Sequence, residues 1–168
     1  LLLSAERPMI MAGGGVHISG AFNELQALAE MLMIPVVTTF KGKGVFPENH
    51  PLSLGPIGMH GHAEANKLIT EADVLLAIGS RFSDRSVGKF DEFGKDMKII
   101  HIDIDPAEIG KNKQVDIGIV GDVKVSLRIM LKMLANRVIK KYTEGEETPW
   151  LKHVREVKEY YRSIVKDN

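Results

Sequence analysis

Arg81 and Arg85 stand four residues apart, directly after an apolar run that ends in glycine, within the stretch VLLAIGSRFSDR from Val74 to Arg85. A guanidinium is a planar fork of donors that matches phosphate oxygens, and Asp84 is placed to orient one of the pair. Released at the end of a buried strand, the two arginines occupy the place where open α/β sheets bind ligands, outside the carboxyl ends of the strands. The chemistry is anion binding, and its alternative is a pair of solvated surface charges. Gly13-Gly14-Gly15 is a second cluster, whose backbone N–H groups would approach a diphosphate at a helix start. It lacks the third glycine of a G-x-G-x-x-G fingerprint, because His17 and Ile18 follow, so a plain tight turn competes with that reading.

Two more clusters carry polar chemistry. In Gly58-Met59-His60-Gly61 the glycines permit backbone contact with a flat ligand, whereas His60 and His62, with no third ligand or carboxylate nearby, make a poor zinc site. No metal ligand is therefore assigned. In His101-Ile102-Asp103-Ile104-Asp105 a strand ends in acids. Asp103 suits the hydroxyls of a ribose or similar polyol, and Asp105, before Pro106, suits a helix cap. The chain has no G-x-S-x-G elbow, no P-loop and no paired carboxylates in one expected cleft. No catalytic residue is assigned, and the segment reads as a binding module.

These residues need a scaffold, and 168 residues suit one domain with a core of its own. Lysine plus arginine and aspartate plus glutamate each number 22, so no net field recruits nucleic acid or an acidic membrane surface. Cysteine is absent, which removes thiolate chemistry and a disulfide framework and fits the cytoplasm. No apolar run approaches the roughly 20 residues of a bilayer span, and Leu1-Leu2-Leu3 lacks the basic flank of a signal peptide. The absent initial methionine and the charged end are read as those of a piece excised from a longer polypeptide.

Apolar runs at residues 8–12, 35–39, 74–78, 97–104 and 115–120 read as strands. Helical spacing marks residues 21–33, with Ser19 a plausible cap, then 63–72 and 123–134, with a short helix from Pro106 through Ile109. Lys41 to Gly61 reads as a long glycine- and proline-rich connection. Strands alternating with helices imply a parallel sheet covered on both faces. After Lys140 the chain turns polar, and Trp150 to Asp167 is a charged helix with a thin apolar stripe. It is either an outer helix of the same domain or a linker that packs on a neighbouring one.

Taken in order, the Gly13 to Gly15 turn, GMHG at Gly58 to Gly61, GSRFSDR at Gly79 to Arg85 and HIDIDPAEIGKN at His101 to Asn112 resemble the central domain of the acetolactate synthase large subunit. The resemblance covers nearly the whole chain. It implies an α/β, Rossmann-like three-layer fold of the NAD/FAD-binding kind with a six-stranded parallel sheet. It implies an FAD-binding unit over residues 1–141, and a charged linker helix over 142–168 toward a thiamine-diphosphate-binding domain. The family's flavin contacts fall on Gly13, Gly14, Thr39, Phe40, Ile57, Gly58, Met59, His60, Gly79, Arg81, Arg85, Asp103, Ile104, Glu108 and Asp122. Thiamine diphosphate and Mg2+ belong to flanking domains, and a homo-oligomer with a regulatory subunit is the family's assembly. The family loop reads F-D-D-R where this chain has Phe82-Ser83-Asp84-Arg85, so one flavin-side hydrogen bond is not carried over. The family's GDG…N motif is absent, since Gly121-Asp122 runs into Val123. The resemblance therefore implies that this segment makes no acetolactate by itself. Glyoxylate carboligase and pyruvate oxidase or decarboxylase share the central domain, and a stand-alone module for NAD or ADP is a reading of another class.

Overall fold

Residues 8–12 alternate cleanly in the computed structural model, which describes residues 1–83, 93–137 and 147–166. Met9 and Met11 face one hydrophobic cluster, while Ile10 and Ala12 face another, and all four are fully buried. A strand apolar on both faces needs a cover on both, which is the condition of a parallel α/β sheet. Val74–Ile78 is buried at all five positions, and Lys98–Asp103 at all but the first. These runs are β1 (Pro8–Ala12), β4 (Val74–Ile78) and β5 (Lys98–Asp103); β2 is Val36–Thr38, β3 Ser53–Pro56 and β6 Ile117–Val120. The six strands form one parallel sheet in the order β3-β2-β1-β4-β5-β6. That order reverses direction between β1 and β4, the topological switch point at which doubly wound sheets open a crevice.

Helices α1 (Gly15–Ser19), α2 (Phe22–Leu32) and α4 (Val123–Ala135) cover one face through Val16, Leu25, Leu28, Val123 and Leu127. Helices α3 (Ala63–Glu71) and α5 (Pro149–Lys166) cover the other through Ala65, Leu68, Trp150, Val154 and Val157. Helix, sheet and helix make the three layers expected of the fold. The α5 helix sits closely on the described fold: the Trp150 indole N–H donates to the Pro8 carbonyl at 3.0 Å, and His153 bonds Glu71 at 2.7 Å. Lys158 donates to the carbonyls of Pro51 and Ser53, covering polar groups at the β3 edge of the sheet.

Three expectations are corrected. The connection from Lys41 to Gly61 contains β3, the sixth strand. Pro56 is tolerated because it closes an edge strand, whose far side needs no ladder donor. Ser19 does not cap α2: its hydroxyl donates to the Val16 carbonyl inside α1, Gly20 at φ 62° ends that helix, and α2 begins after Ala21 with no side-chain cap. Residues 106–110 form successive turns where a short helix was expected. There Asp105 accepts from the Ala107 N–H at 2.9 Å, so its capping chemistry serves a turn.

Candidate functional site at the carboxyl edge of the sheet

Because every strand among the described residues runs the same way, their six carboxyl ends lie along one edge; Asp103 is the last residue of β5, and the other expected contact residues follow a strand end in the chain. The ladder continues past the strand ends as a row of backbone hydrogen bonds: Ile57 to Thr38, Thr39 to Ala12, Gly13 to Ile78, Gly79 to Ile102 and Gly121 to Asp103, all 2.8–3.0 Å. Residues scattered from 13 to 122 are thereby locked onto one rim.

At the switch point the glycines serve the protein's own backbone. A Cβ on Gly13 would lie 2.3 Å from the Gly79 oxygen, one on Gly15 would lie 2.7 Å from the Gly79 Cα, and the Gly15 N–H donates to the Gly79 carbonyl at 3.0 Å. Gly79 itself adopts φ 56°, where glycine is favoured. The β1–α1 turn thus packs directly on the loop leaving β4. The expectation that these glycines admit a ligand meets a different cause of close approach at Gly13 and Gly15. The middle residue, Gly14, faces Lys41, whose Cβ lies 3.2 Å from where a Gly14 Cβ would sit.

Beyond Gly79, Arg81 extends outward with its side chain 71 % exposed, its Nε 3.9 Å from Glu108 Oε1. Asn112 Nδ2 donates to the Arg81 carbonyl at 2.8 Å. Behind the loop, His101 is fully buried and bonds the Ser80 carbonyl at 2.7 Å, and burial pushes its imidazole below the usual histidine range. Arg85 and Asp84 lie outside the described residues.

The flanks of the rim are apolar. Phe40, after β2, Met59, after β3, and Ile104, after β5, are 81 %, 83 % and 68 % exposed. Thr39 is buried, and its hydroxyl oxygen accepts the Gly42 N–H at 3.2 Å. Ile57 is buried, while Gly58 is gripped on both sides by Asn66, whose Oδ1 accepts the Gly58 N–H and whose Nδ2 donates to the Gly58 carbonyl. His60 is exposed. Asp103 accepts the Asp105 N–H at 2.9 Å, Glu108 takes Lys111 Nζ at 3.2 Å, and Asp122 caps α4 by accepting the Val125 N–H at 2.9 Å. An ionised carboxylate has lone pairs for several donors, so a capping role leaves room for a ligand hydroxyl.

Sequence reasoning missed Asn66, Ser80, His101 and Asn112 as supports of this rim. Asn112 ends the HIDIDPAEIGKN motif, but no local signal shows that it reaches the Arg81 carbonyl 31 positions earlier. Among the described residues, no cluster of three metal-ligating side chains occurs, and no helix is long and apolar enough to cross a membrane. A cleft of about 700 Å³ lies at the opposite, amino edge, lined in part by Arg7, Glu71, Trp150 and His153.

Residues 1–130 match the family model for the thiamine pyrophosphate enzyme, central domain. The chain belongs to this family. The span includes the whole sheet and all of the rim, so the central-domain architecture and the six parallel strands agree. The chain is also similar to acetolactate synthase large subunits. It is 56 % identical over 158 residues to the probable large subunit of Methanocaldococcus jannaschii, covering 94 % of this chain and 26 % of that protein. It is 51 % identical over 162 residues to the probable large subunit of Methanococcus aeolicus, covering 94 % and 27 %. To the large subunit of Cyanidium caldarium it is 43 % identical over 172 residues, covering 100 % and 29 %. The chain thus spans about a quarter of the length of these relatives.

Proposed function

We propose that this chain is the FAD-binding central domain of an acetolactate synthase large subunit. The observation that carries the reading is the rim: an exposed arginine at the switch point, carboxylates after β5 and β6, and large apolar side chains exposed after β2, β3 and β5. A flavin dinucleotide needs that set. Arg81, joined by Arg85, would hold the diphosphate, Phe40, Met59 and Ile104 would lie against flat apolar rings, and Asp103, Glu108 and Asp122 would accept hydroxyls. Gly13, Gly14, Thr39, Ile57, Gly58, His60 and Gly79 would supply backbone and rim contacts.

In the full-length enzyme, thiamine diphosphate and Mg2+ on flanking domains would supply the chemistry that decarboxylates pyruvate and joins the two-carbon unit to pyruvate or 2-oxobutyrate, toward valine, leucine and isoleucine. The residues of this chain would bind and orient the flavin, which stabilises the folded form by binding to it alone. We place the flavin contacts in a unit at residues 1–141, with 142–168 leading toward a thiamine-diphosphate domain while its α5 helix packs on the same sheet. The same reading gives a cytoplasmic homo-oligomer with a regulatory subunit. The test is the absorbance and fluorescence of the purified chain titrated with FAD, NAD and ADP in turn. Saturable perturbation of FAD is expected; preference for NAD, with no FAD binding even when flanking domains are restored, overturns the reading.

A further inference from the structure

The backbone that carries Arg81 is held by side chains from outside its own loop. His101 on β5, fully buried, reaches the Ser80 carbonyl with Nε2 at 2.7 Å. A carbonyl only accepts, so Nε2 bears the hydrogen and the neutral ring leaves Nδ1 as the acceptor. Among the described residues the buried Nδ1 has no hydrogen-bond partner, so there the polar bond of the ring is made on the Nε2 side. On the far side of Arg81, Asn112 Nδ2 holds the next carbonyl at 2.8 Å. Phe82 then takes φ 48°, a backbone region that a bulky L residue rarely enters unless its surroundings impose it. Its ring is buried, perpendicular to His101 with centroids 5.1 Å apart, and it also meets Phe93 at 6.5 Å. Two successive carbonyls and the next side chain are thus fixed, and two of those three restraints come from the same imidazole.

We propose that His101 is the positioning residue of the anion loop: its Nε2–H bond to Ser80 and its edge contact with Phe82 hold the Arg81 backbone in one conformation, fixing the point on the rim from which the arginine side chain reaches a ligand diphosphate before the ligand arrives. This rests on the flavin reading above for the ligand, but not for the restraint itself. The physical gain is preorganisation. A loop competent for only a tenth of the time weakens apparent affinity about tenfold, whereas a loop already held loses nothing to ordering. Burial of the ring fits the same role, since a neutral imidazole presents one donor to one acceptor and adds no charge beneath the arginine. His101 acts through Ser80 and Phe82 and touches no substrate.

The experiment compares His101→Phe and His101→Gln with wild type in the full-length protein that carries this chain. Phenylalanine keeps an aromatic edge against Phe82 without the donor, and glutamine keeps an amide donor that does not titrate. Backbone hydrogen exchange across residues 79–83 is read beside that of β1 and β4, and FAD affinity is read from flavin fluorescence. In H101F the loop is expected to exchange at least about tenfold faster with the strands unchanged, and FAD to bind about tenfold more weakly. H101Q is expected to return both within about threefold of wild type. Equal loop exchange in H101F and wild type overturns the proposal, as does a uniform rise that includes the strands. If H101F does not fold, H101Q decides alone, since loop exchange tenfold above wild type removes the role for the donor. Absence of FAD binding by wild type defeats the flavin reading, while the exchange comparison still decides the positioning role.

Discussion

Gly79 shows how a single position fixes the site's geometry. Its φ of 56° and the 2.6 Å that would separate its Cβ from the Gly15 Cα leave no room for a side chain, and the atom in the way is backbone. Gly79→Ala is expected to cost about 2–4 kcal/mol, combining left-handed strain with overpacking against a rigid neighbour. A urea midpoint unchanged from wild type would contradict the contact. His101 gives a pH dependence. Burial holds its folded pKa below the unfolded value of about 6.5, outweighing the bond to Ser80 and the attraction of Asp103 and Glu108. The unfolded chain therefore binds more protons, so this contribution is present above about pH 6.5 and is lost as pH falls toward the folded pKa. Urea titrations between pH 5 and 8 should show the stability gap between wild type and His101→Gln narrowing on acidification. A gap independent of pH would show that the buried imidazole does not titrate this way.

Elements carry the next set of consequences. The α4 helix starts at Asp122, whose side chain satisfies the Val125 N–H, and Asp122→Ala should lower stability by about 1 kcal/mol while Asp122→Asn retains most of the cap. Thermal melts of both variants distinguish capping from a purely ligand-directed role, in which neither melt would move without FAD. The α5 helix depends on Trp150, which is buried and tied to the first residue of β1. Trp150→Ala should cost about 3–5 kcal/mol, read in the same unfolding assay. Strand and helix positions were largely legible because β1, β4 and β5 are apolar on both faces and α2 to α4 repeat at helical spacing. The edge strand β3 was not: Ser53-Leu54-Gly55-Pro56 has neither an apolar run nor a β-branched residue, and only pairing with β2 makes it a strand. Nor was the break between α1 and α2, which rests on Gly20 closing one helix before Ala21 opens the next.

For the whole molecule, the proposed flavin would be linked to stability by binding to the folded state alone. FAD at 100 times its Kd should stabilise the chain by about 2.7 kcal/mol. The melting temperature should therefore climb with FAD concentration, and a melt indifferent to saturating FAD would count against the proposed cofactor. The chain, spanning about a quarter of the length of its acetolactate synthase relatives, is expected to form no acetolactate from pyruvate on its own. Measurable condensation by the purified chain, with thiamine diphosphate and Mg2+ supplied, would refute that expectation.

The amino-acid sequence by itself determined the alternation of elements, and with it the parallel sheet whose strand ends all point one way. It also determined the residues placed just after those ends, because apolar periodicity and glycine turns are local properties of the chain. Only the tertiary structure decided what each of those residues meets. Gly13 and Gly15 answer to Gly79, Asn66 grips Gly58, and Arg81 is steadied by Asn112 and by a histidine from the neighbouring strand. These partners lie from 8 to 66 residues apart in the chain. Close approach of backbones and satisfaction of buried carbonyls arise from the assembled sheet, so they leave no periodic signal in the sequence.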